Sequence, residues 1–87
     1  MPETVFAKIL RGEIPAPKLW EDDLCVAIRD IRPQAPTHIL IIPREPIETI
    51  DDVRPEQKEL IGHLTWVAAE LARREGLAAQ GYRLVWN

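Results

Sequence analysis

Apolar positions recur along this chain with two different periods, and the switches between them mark out its elements. From Val5 to Leu10, the residues Phe6, Ile9 and Leu10 fall at i, i+3, i+4 spacing, which predicts a short helix with Thr4 placed to cap it. Gly12 offers a stop, and Pro15 and Pro17 forbid continuation. Lys18 to Glu21 then reads as a short strand. Asp22 and Asp23 turn the chain, and Leu24 to Asp30 returns as a second strand. The segment from Ile31 to Thr37 carries Pro33 and Pro36, which keep a loop extended and stiff. His38 to Ile42 is the third strand, and its four consecutive aliphatics predict cover on both faces, as at the centre of a sheet. Pro43 and Pro46 end it.

Beyond Pro55, which suits the first position of a helix, the period changes to 3.6. Leu60, Ile61, Leu64, Val67, Ala68, Leu71 and Ala72 form one stripe, while Glu56, Lys58, Glu70, Arg73 and Arg74 lie elsewhere. Glu70 and Arg74 have the favourable i, i+4 order, and Gly76 closes the helix. Gly81 to Asn87 alternates again, with Tyr82, Leu84 and Trp86 on one face and Arg83 and Val85 on the other, which predicts a fourth strand. Strands in sequence with one long amphipathic helix indicate an α+β fold, and 87 residues make one domain, 1–87.

Bulk composition narrows the function classes. Apolar residues are 46% and charged residues 29%, an ordinary globular mix. The net charge is −3 with no basic run, which argues against nucleic acid as a partner. Cys25 is the only cysteine, so there is no internal disulfide and no cysteine-rich zinc site. No apolar run reaches the roughly 20 residues that span a bilayer, and the N-terminus lacks the layout of a secretion signal, so the cytoplasm is the expected location and no membrane is expected.

The candidate chemistry centres on the second strand. Alternation puts Val26, Ile28 and Asp30 on one face. An aliphatic surface can press on a purine, and a carboxylate one pleat further on can accept hydrogen bonds from a diol such as the ribose hydroxyls. Phe6 and Ile9, on the first helix, would close the other side of the base. The alternative is that Phe6, Ile9 and Ile28 are simply core and that Asp30 begins a turn. His38, at the head of the third strand, is either a general base or a partner for loop backbone. His63 reads as a solvated or rim histidine on the long helix. Cys25 reads as a small buried hydrophobe rather than a reactive thiol. Trp20, Trp66 and Trp86 suit core or subunit contact.

Several of these segments together are similar to the Hint branch of the histidine triad (HIT) superfamily. They are Phe6 to Pro15, Glu21 to Cys25, and Ala27 to Pro43, which includes the specific run Pro33-Gln34-Ala35-Pro36-Thr37-His38. Gly62 to Leu64 and Gly81 to Asn87 follow in the same order. The resemblance implies a five-stranded antiparallel sheet with a long helix, of which four strands would be present here, and pairing into a homodimer. It implies binding of a purine nucleoside monophosphate of the AMP or GMP type. Val5, Phe6, Ile9, Ile28 and Ile31 match base-pocket positions, Asp30 matches the carboxylate that holds the ribose, and Asn87 matches an asparagine close to the phosphate. Ile28 stands where an aromatic is common, which would weaken stacking on the base.

Members of the family cleave nucleoside phosphoramidates or adenylyl nucleotides through a nucleotidyl-histidine, using the centre of a His-x-His-x-His strand. The 87 residues contain His38 and His63 and no such motif, so residues 1–87 alone are expected to lack the catalytic strand and to be catalytically incompetent. Thr4 and Ala7 stand where many bacterial members place zinc-binding cysteines, so neither metal nor cofactor is expected. A different reading makes the chain a non-catalytic interaction or dimerisation module that keeps the scaffold. A third makes it an enzyme acting through His38 or through strands from another chain.

Overall fold

The computed structural model describes residues 5–13, 17–30 and 36–86, with the side chains of Val5 and Phe6 excluded. The Thr4 cap, Pro15, Ile31, the prolines' loop as far as Ala35, and Asn87 lie outside the described residues. The chain forms two compact units, residues 1–44 and 45–87.

The first unit begins with helix α1, Val5–Leu10. It closes through Gly12, whose φ of 77° is open to glycine at no steric cost. Three antiparallel strands follow: β1 (Lys18–Glu21), β2 (Cys25–Arg29) and β3 (Ile39–Pro43), in the spatial order β1-β2-β3. The β1–β2 register shifts between Lys18 and Trp20, leaving Leu19 as the extra residue of a bulge. The β2–β3 register is unbroken and pairs Val26 with Ile42 and Ile28 with Leu40.

The turn between β1 and β2 is built by one side chain. Asp22 Oδ1 accepts from the backbone N–H groups of Leu24 and Cys25, each at 2.8 Å, and Oδ2 accepts from the Trp20 indole at 2.7 Å. This is the aspartate-turn chemistry that the Asp22-Asp23 pair predicts. Arg44 ties the far end of β3 to the same corner, donating from Nε to the Asp22 carbonyl at 2.8 Å and from a terminal nitrogen to Glu21 at 3.1 Å. Lys18 and Arg44 together hold the Glu21 carboxyl below its ordinary range.

Two expectations for the sheet change. First, β2 is the strand buried on both faces. Cys25, Val26 and Ala27 are fully buried and Ile28 nearly so, while most of β3 is half-buried. β2 has a hydrogen-bonded neighbour on each side and β3, among the described residues, has only β2. Second, the described residues contain three strands rather than four. Residues 81–86 are not paired in any ladder, and all six are exposed. A strand exists only through hydrogen bonds to a neighbour, so alternation alone does not create one.

In the second unit, Thr49 donates backbone and hydroxyl hydrogens to Asp52, at 3.2 and 2.9 Å, at a short 3-10 turn over Ile50–Asp52. A second such turn, Pro55–Gln57, leads into helix α2, Lys58–Arg74. Gln57 is buried, and each end of its amide is bonded: Oε1 accepts from Arg54 N–H at 2.8 Å and Nε2 donates to Glu45 at 3.0 Å. On α2 the buried residues are Leu60, Leu64, Val67, Leu71 and Ala72, with Ile61 and Ala68 half-buried, so the predicted stripe is the buried one. Glu70 pairs with Arg73, one residue nearer than the i, i+4 partner Arg74. The helix ends with Leu77 N–H bonded to Ala72 O at 2.9 Å and Gly76 N–H to Arg73 O at 3.1 Å, with Gly76 at a φ of 74°. This double bond pattern across a left-handed glycine satisfies carbonyls that the helix leaves open. Among the described residues no helix is long and apolar enough to cross a membrane.

Candidate functional site

The site is built by α1 and by the β2–β3 pair of the first unit. Val26, Ile28 and Ile42 form one buried cluster with Ile9 of α1, and Leu10 and Leu40 pack against it. The structure therefore brings together two of the proposed base-pocket residues, Ile9 and Ile28. Both are closely covered, at 6% and 3% exposure, so they belong to the core as well.

One pleat beyond Ile28 the apolar face ends in two polar residues. The antiparallel register that pairs Ile28 with Leu40 continues to Asp30 and His38, and Asp30 N–H donates to the His38 carbonyl at 3.0 Å. The side chains meet as well: His38 Nδ1 lies 3.2 Å from Asp30 Oδ2. The His38 side chain is 33% exposed and that of Asp30 19%, so the pair sits at the rim of the cluster and reaches solvent. Asp30 closes the β2–β3 pairing and sets its side chain against that of His38. It is a carboxylate presented at the edge of an aliphatic surface, able to accept hydrogen bonds from a polar ligand.

The sequence left His38 as either a general base or a partner for loop backbone, and did not pair it with Asp30. The signal was present in the strand boundaries. Two antiparallel strands joined by one loop pair their flanking residues symmetrically, so residues 30 and 38 must face each other once 28 faces 40. Val5 and Phe6 belong to α1, but their side chains, with Ile31 and Asn87, are outside the described residues.

The other candidates take quieter places. His63 and Trp66 stand one turn apart on α2, with ring centroids 5.9 Å apart and a tilted geometry. Trp66 and Trp86 are exposed at 50% and 41%, so neither is core within the described chain. Cys25 is fully buried, and burial, with the Asp22 carboxylate beside it, pushes its thiol up to about 11 from 9.0. A neutral, covered thiol is a poor nucleophile. Native chain is expected to react with a thiol reagent at pH 8 far more slowly than chain unfolded in guanidinium. Because the folded thiol holds its proton to higher pH than the unfolded one, this group's stabilising contribution is complete below about pH 9 and declines as pH rises toward 11. A Cys25→Ala variant should lose that part of the alkaline slope in denaturation curves.

Known proteins share this fold. The HIT domain family matches residues 11–87. The purine nucleoside phosphoramidase of Escherichia coli is 53% identical over 85 residues, which cover 98% of this chain and 71% of that protein. Among solved structures, a HIT family hydrolase from Legionella pneumophila superposes with a TM-score of 0.91 at 52% identity, covering 95% of this chain and 74% of that one. A HIT family hydrolase from Clostridium thermocellum gives 0.94 at 36% identity, covering 100% of this chain and 76% of its own. A match across nearly the whole chain, at this identity and with the same fold, leaves one assignment: this chain belongs to the HIT family.

Proposed function

We propose that this chain binds a purine nucleoside monophosphate, of the AMP or GMP type, at the rim formed by α1 and the ends of β2 and β3. The observation that carries the reading is Asp30, a partly exposed carboxylate at the end of the face that holds Ile28 and Ile9. In this reading Asp30 accepts the ribose hydroxyls. Val5, Phe6, Ile9, Ile28 and Ile31 surround the base, and Asn87 approaches the phosphate. The 53% identical relative is a purine nucleoside phosphoramidase, which supports a purine nucleotide as the ligand and hydrolysis of a phosphoramidate as the family chemistry. The 87 residues hold no His-x-His-x-His nucleophile, so by themselves they bind the nucleotide without cleaving it. The same reading makes the chain a cytoplasmic homodimer, as the family resemblance implies.

Calorimetric titration tests this directly. The 87-residue chain should take up AMP or GMP saturably, release no ammonia from adenosine phosphoramidate, and ignore inorganic phosphate at the same concentration. Absence of heat with both nucleotides at millimolar concentration, in chain shown to be folded, would overturn the binding reading. Turnover of the phosphoramidate that survives repurification would overturn the division between binding and catalysis.

A second reading, a non-catalytic interaction module, is favoured by the exposure of Tyr82, Leu84, Val85 and Trp86, from 41% to 73%. Extended apolar backbone can add to a partner's sheet edge. A chain that stays monomeric in size-exclusion runs at every concentration would count against it.

A further inference from the structure

We draw no further inference here: the strongest candidate, the aliphatic outer edge of strand β3, which among the described residues pairs only with β2, carries nothing because no feature of the structure shows what covers it.

Discussion

Ile28→Ala is expected to lower the stability of the chain by about 2–5 kcal/mol, the usual cost of removing a buried isoleucine side chain down to its β-carbon. Ile28 is 3% exposed and is packed with Ile9, Val26 and Ile42 in one cluster. Its loss removes favourable burial and leaves a cavity that a strand paired on both sides closes poorly. For a domain of this size, a loss of about 2 kcal/mol already lowers the melting temperature by about 8–16 °C. Thermal denaturation followed by circular dichroism measures it. Ile28→Val keeps the β-branched shape and should cost about 0.5–1.5 kcal/mol, leaving enough folded chain for binding measurements. A drop below about 0.5 kcal/mol in the alanine variant would mean that Ile28 is a surface residue waiting for ligand rather than a core residue.

Asp30→Ala is expected to weaken AMP binding by about 1–3 kcal/mol, roughly five- to 150-fold in dissociation constant, if the carboxylate takes two hydroxyl hydrogen bonds. Charge-assisted bonds of this type are stronger than neutral ones, which sets the upper end. Stability should change much less, because Asp30 sits at the end of β2 and the backbone bond to His38 survives the substitution. The pair of readouts matters: Ile28 acts mainly through folding and Asp30 mainly through affinity, although they are neighbours on one face. An unchanged dissociation constant in Asp30→Ala would place the ribose elsewhere.

How much of this was legible in the sequence depends on the kind of signal. Helix α1 and strand β1 run over the residues that periodicity marked, and the ends of β2, β3 and α2 move by one to three residues. Gly76 ends α2 at positive φ, as a glycine after the last apolar position suggests. At β3 the expected cover on both faces is not met among the described residues. Four aliphatics in a row look like a central strand, but sheet position depends on pairing partners, which the residues of one strand do not specify. The segment 81–86 failed for the same reason: Tyr82, Leu84 and Trp86 alternate well and still pair with nothing in the described sheet. In the site, Ile9 and Ile28 share one buried cluster, as the core alternative expects, because helix and strand periods both aim residues at a shared face. The Asp30–His38 contact was missed, because it depends on strand register across a loop and not on spacing within one element.

The most direct measurement is a crystal structure of the chain grown with AMP. The account predicts the nucleotide at the ends of β2 and β3, with both ribose hydroxyls about 2.5–3.0 Å from the carboxylate oxygens of Asp30 and His38 still against the same group. A nucleotide seated with its sugar away from Asp30, or a rim left closed at saturating AMP, would contradict it.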